Sequence, residues 1–144
     1  MRRGSIGVRT SAGTAAAAAL EIIAPAAVGC YLRELEVSLA AATASIYGLG
    51  RPAALGVTPT TPVSLLSDAK ASAVMYKTAT ALAWGTGPTV PAAFIRRVSF
   101  AAVIGERIKW EFGQGLYIPA GASLVLWNIG TNGVVDVNVV VDED

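Results

Sequence analysis

Residues 94–141 alternate apolar and polar side chains in short runs broken by Gly, Pro and Asn-Gly. A side-chain period of two belongs to strands that bury one face, and no helix can bury such a pattern on one side. The clearest run places Ile108, Trp110 and Phe112 on one face and Arg107, Lys109 and Glu111 on the other. Val135, Val137, Val139 and Val141 repeat the alternation after Asn132-Gly133, a dipeptide that readily takes the positive φ angles of a hairpin turn. Leu124 to Ile129 is apolar on both faces, which predicts a strand covered on both sides.

Upstream, Tyr31, Leu35, Val37 and Leu39 alternate with Glu34, Glu36 and Ser38, leaving Arg33 as a charged residue in the inward phase. Residues 45–49, 75–80, 95–100 and 116–118 read as further strands. Arg96-Arg97 sets one cation on each face of its strand, so one of them is expected to point inward or into a subunit contact. Gly113-Gln114-Gly115 is expected to turn the chain, and the Pro- and Thr-rich stretch 52–62 to form a surface loop. About eight short strands with no helical pattern beyond Cys30 predict an all-β fold. The expected architecture is an antiparallel β-sandwich of jelly-roll type over residues 30–144, preceded by an extended N-terminal arm over residues 1–29.

The chain has no histidine and one cysteine, so the usual residues of general acid-base, nucleophilic and metal chemistry are missing. Glu106 and Glu111, five apart, fall on opposite faces of a continuous strand and read as solvated charges rather than a glycosidase pair. Ser67, Asp68 and Lys70 have no histidine to complete a triad. Gly85 and Gly87 lack the lysine and following helix of a phosphate loop. No catalytic residue, cofactor or metal is expected.

Charged residues make up only 15% of the chain, where a typical soluble domain has roughly 25%. The apolar fraction of 53% and mean hydropathy of +0.55 leave too few charges to coat a monomer, so a homo-oligomer is expected. A net charge of +1 without a basic run indicates neither a nucleic-acid groove nor a membrane patch. The basic start, Arg2 and Arg3, and the acidic end, Asp142 to Asp144, either pair between neighbouring copies or stand as solvated tails. A lone Cys30 makes no intrachain disulfide.

Arg2 and Arg3, the apolar run 15–27 and Ala27-Val28-Gly29-Cys30 imitate a lipoprotein signal, but Glu21 and Pro25 interrupt the run and it is too short to cross a bilayer. The same segment suits a short helix capped by Thr14 or an extended arm crossing a neighbour, of which the arm is preferred.

Tyr47-Gly48-Leu49-Gly50-Arg51-Pro52, Trp84-Gly85-Thr86-Gly87-Pro88-Thr89-Val90-Pro91 with Phe94-Ile95-Arg96-Arg97, and residues 118–128 from Ile118-Pro119-Ala120-Gly121 to Trp127-Asn128 together resemble small head proteins of tailed bacteriophages. The likeness runs from about Leu32 to the end and consists of turn and core patterns. It implies a jelly-roll subunit, often trimeric, on the capsid surface of the virion, where it decorates and cements the shell by bridging major capsid proteins. Arg2, Arg3, Ile6, Val8, Ile22 and Ile23 of the arm are the expected capsid or subunit contacts there. Arg96, Arg97, Trp84 and Trp127 are the expected contacts of the sandwich. A head-fibre or tail-fibre knob stacking host glycans on exposed aromatics is the alternative, and a lectin-like or cytokine-like module a further one.

Overall fold

A computed structural model describes residues 2–11, 15–59, 62–67, 74–131 and 133–143. The strands are β1 (Arg2–Arg9), β2 (Ala17–Ile23), β3 (Cys30–Leu39), β4 (Ser45–Gly50), β5 (Val57–Pro59), β6 (Pro62–Ser67), β7 (Val74–Ala81), β8 (Trp84–Thr86), β9 (Phe94–Phe100), β10 (Arg107–Ile118), β11 (Ser123–Asn128) and β12 (Val135–Glu143). Ten of them hydrogen-bond antiparallel in the order β10-β3-β12-β1-β6-β7-β2-β11-β4-β9, and β5 pairs with β8 in a separate ribbon. The long sheet doubles over at the β6-β7 hairpin. Two four-stranded layers, β10-β3-β12-β1 and β2-β11-β4-β9, thereby face each other, in the strand order of a jelly roll.

One apolar cluster fills the space between the layers. Leu35 and Val37 of β3 and Val137 and Val139 of β12 supply one side, and Leu20 and Ile22 of β2 with Leu124 and Leu126 of β11 the other. Each such side chain withdrawn from water contributes roughly 1.5–3 kcal/mol, so the alternating valines of β12 are a principal source of stability. Tyr47 enters the same core with its hydroxyl donating to the Gly133 carbonyl at 2.6 Å. Burial pushes that phenol up to about 12 and the Cys30 thiol up to about 11, so the thiol is a core side chain rather than a nucleophile.

The N-terminal segment is extended, as expected, but it is not a free arm. β1 lies along β12, with Arg3 opposite Asp142 and Val8 opposite Val137, while β2 lies along β11, with Ile22 opposite Leu124. Each therefore completes one layer. Their backbone donors and acceptors are taken up by β12 and β11 at the far end of the sequence and, on the other side, by β6 and β7, pairings that local pattern does not reveal.

Four further expectations are corrected. The segment after β11 does not make a hairpin with β12, because β11 pairs with β2 and β4 while β12 pairs with β3 and β1; the connection crosses from one layer to the other. Arg33 does not point inward: Val140 opposes Glu34 and Val141 opposes Leu32, so Arg33 is the extra residue of a β-bulge. The slip turns Cys30 and Leu32 into the core and leaves Tyr31 and Arg33 half-buried. The chain does not turn at Gly113-Gln114-Gly115; β10 continues through a register jump between Glu111 and Leu116, with Gly115 at a φ of +88° against the Tyr31 side chain. Within the expected surface loop, residues 57–59 form β5 and β6 begins at Pro62.

Asn132, half of the expected turn dipeptide, lies outside the described residues. Gly133 is needed for space, since a Cβ there would fall 2.0 Å from Ser45 Oγ, which itself donates to Thr43 O at 2.9 Å. Gly133→Ala is expected to cost about 1–2 kcal/mol by overpacking. Urea unfolding checks this, and an unchanged midpoint would show that Ser45 gives way freely.

Candidate interaction surface

The outer face of the β2-β11-β4-β9 layer is roofed by the chain's own residues. In β4, Tyr47 and Leu49 face the core, so Gly48 and Gly50 face outward, opposite Trp127 and Val125 of β11. A Cβ at Gly48 would meet the Phe94 ring at 2.5 Å, and one at Gly50 would meet Pro91 at 2.6 Å. The two glycines thus make room for residues 91–94 to fold back over the sheet. Val125 is fully buried and Trp127 nearly so. The expectation that β11 is covered on both faces holds, and the outer cover comes from the same chain.

Glu21 fastens the rest of the roof. It pairs with Val125, on the face away from the core, yet it is fully buried. Its carboxylate accepts from Ser123 Oγ at 2.7 Å, Trp84 Nε1 at 2.8 Å and the Gly56 amide at 3.2 Å. Gly56 precedes β5 and Trp84 opens β8, so one side chain ties both sides of the ribbon to β2. A Cβ at Gly56 would lie 2.1 Å from the Trp84 ring, which is why glycine stands there.

The opposite layer carries the ion pairs. Asp142, with 3% of its side chain exposed, accepts from Arg3 at 2.9 Å and from Arg33 of the β3 bulge. Arg9 pairs with Asp136 at 2.7 Å, and Lys109 with Glu34 and Glu111 at 2.9 Å. Glu143 is buried and accepts from the amide and hydroxyl of Thr78 at 2.9 and 2.7 Å. The basic start and acidic end therefore meet within one chain, because β1 and β12 are antiparallel neighbours. The Arg3 and Arg33 guanidiniums hold the Asp142 carboxyl below the usual carboxylate range, and Arg9 does the same to Asp136.

Two exposed surfaces among the described residues bear on an interaction. The first is the end where the β1-β2, β3-β4, β9-β10 and β11-β12 connections gather. Backbone bonds knit it together, from Thr10 N to Val135 O at 2.9 Å, from Ala40 N to Val134 O at 2.8 Å and from Gly105 N to Leu39 O at 2.8 Å. Residues 40–44 and 101–105 carry no charge, and Val103 and Ile104 are 58% and 65% exposed at its rim. The second is the edge of β9, where Arg96 and Arg97 are both exposed. Arg96 is in the inward phase, opposite the core residue Leu49, but β9 borders the open side of the sandwich and the guanidinium lies 5.4 Å from the Phe112 ring. Arg96 thus lies in the inward phase at the sandwich edge, on a ring that itself packs against the core, and Arg97 in the outward phase, so the cation expected to point inward or into a subunit contact is Arg96.

The expected contact residues are thus dispersed. Ile22 is core, Ile6 and Val8 pack against it, Ile23 is half-buried, and Trp84 and Trp127 belong to the roof. Arg2 lies in β1 opposite Glu143, and Arg3 is bound to Asp142. Arg96 and Arg97 lie on an open surface of the kind expected, and Arg3 is itself more than half exposed beside Asp142. The sequence reading missed Val103 and Ile104, whose signal was an Ala-Ala-Val-Ile run outside any alternating strand. Trp110 is also buried, leaving Tyr117, against Tyr31, as the large exposed aromatic among the described residues. Glu111 is engaged by Lys109, and Glu106 sits in the turn before β10. Comparison with family models, curated proteins and solved structures finds no match.

Proposed function

We propose that the protein is a non-catalytic structural component of a tailed-phage virion, which decorates the capsid and cements it by bridging major capsid proteins. The observation that carries this reading is the uncharged loop end: a platform held by backbone hydrogen bonds, with Val103 and Ile104 outward, offers an apolar contact at small ordering cost on binding. The resemblance of residues 47–52, 84–97 and 118–128 to small phage head proteins supplies the setting, and with it the trimer. The ion pairs around the buried Asp142 and the Glu21-fastened roof tie neighbouring strands together, as a brace between neighbours requires.

The test is the copy number on purified heads. Ile104→Asp, at an exposed position whose backbone is held by its neighbours, should lower occupancy on heads about tenfold, since burying one such side chain is worth roughly 1.5–3 kcal/mol. Unreduced occupancy, or absence of the wild-type chain from intact heads, overturns the proposal.

A further inference from the structure

We propose that the free edge of β9 is a strand-addition site for an extended acidic segment of a partner protein. β9 ends the sheet order and has β4 as its single neighbour among the described residues. Its pairing with β4 runs unbroken over five rungs, from Leu49 opposite Arg96 to Ser45 opposite Phe100. The backbone groups on its other side therefore lie in regular register from Arg96 to Phe100, before which the pairing shifts between Leu49 and Gly50. β10, the edge of the other layer, also keeps five unbroken rungs with β3, from Arg107 to Glu111, but its exposed Lys109 is already bound by Glu34 and Glu111 and the register jumps beyond Glu111.

Charge selects the occupant. The five ion pairs of the described residues all lie on β1, β3, β10 and β12, and no carboxylate among them pairs with Arg96 or Arg97. Each guanidinium is instead held over a ring, Arg96 over Phe112 at 5.4 Å and Arg97 over Phe94 at 5.8 Å, so both are positioned before any partner arrives. Adjacent cations on a bare edge repel a second copy docking edge to edge, which keeps the protein from polymerising. The same pair attracts an incoming strand that carries two consecutive carboxylates. Consecutive residues of that strand point to opposite faces, as Arg96 and Arg97 do. A nucleic acid would satisfy the charges but not the row of peptide donors and acceptors, so a peptide strand is the better fit.

This deepens the capsid reading by naming the chemistry of the segment recognised, and rests on that reading for who supplies it. The peptide assay needs no heads, so its failure leaves the Ile104 occupancy result standing. The probe is Thr-Val-Glu-Glu-Val-Thr, titrated into the full chain and followed by amide hydrogen exchange, with Gln-Gln and Lys-Lys versions alongside. The acidic peptide should bind with a dissociation constant on the order of 1 mM or below and slow exchange at β9 amides. Arg96→Ser with Arg97→Ser, both at exposed positions, should weaken it about tenfold or more, and the Lys-Lys peptide should not bind. No binding at several millimolar, equal binding of the Lys-Lys peptide or of a single-stranded oligonucleotide, or protection confined to other strands would each overturn the proposal.

Discussion

Replacing Glu21 with Ala is expected to remove about 3–5 kcal/mol of stability, a large part of what a domain of this size possesses. Glu21 is fully buried and its carboxylate is the shared acceptor of the Trp84 indole, the Ser123 hydroxyl and the Gly56 amide. Truncation leaves the buried Ser123 hydroxyl and the partly buried Trp84 and Gly56 donors without their shared acceptor, and each unsatisfied buried donor costs about 1–3 kcal/mol. It also frees the β5-β8 ribbon from β2. Glu21→Gln keeps the volume and one acceptor oxygen but turns an amide donor toward donors, so a smaller loss is expected. Urea unfolding measures both variants, and quenching of Trp84 by acrylamide reports whether the ribbon lifts before the sandwich opens. A loss below about 1 kcal/mol for Glu21→Ala would falsify the latch.

What the sequence made legible follows from how far each signal reaches along the chain. The valines of β12 and the Ile108-Trp110-Phe112 face announce themselves locally, because side-chain direction in a strand is set by parity alone. β11 declared that both its faces are buried, but the same letters serve for a cover from a second subunit or from the chain itself. The distinction lay in Gly48 and Gly50, whose missing side chains admit Phe94 and Pro91. Glu21 looked like a charge spoiling an apolar run; its donors lie 35, 63 and 102 residues further on. The Arg33 bulge was hidden for another reason. One inserted residue reverses the parity of everything before it, and only the register with β12 and β10 shows where it falls. β1 and β2 escaped because segments rich in Gly and Ala carry little alternation, and it is their partners β12 and β11 that fix them as strands.

Asp142→Ala is expected to cost about 2–4 kcal/mol, because it breaks the one carboxylate that two arginines from different strands share. Asp142 is nearly buried, while Arg3 is more than half exposed and Arg33 mostly covered, so the substitution falls hardest on Arg33, which also donates to Gly113 O at 2.9 Å. The arrangement ties β12 to β1 on one side and to the β3 bulge on the other, at the point where the register slips. Its dependence on pH has a definite sign. The folded carboxyl titrates below its ordinary value of 3.8, because of the Arg3 and then the Arg33 guanidinium. The stabilisation is therefore fully present above about pH 4 and is lost as pH falls through the lower folded value. Asp142→Asn should accordingly differ most from the wild type at neutral pH, and the two unfolding free energies should converge as the pH falls through the lowered folded value. A gap that stays constant through that fall would mean that shape, rather than charge, fastens the end of β12 to its neighbours.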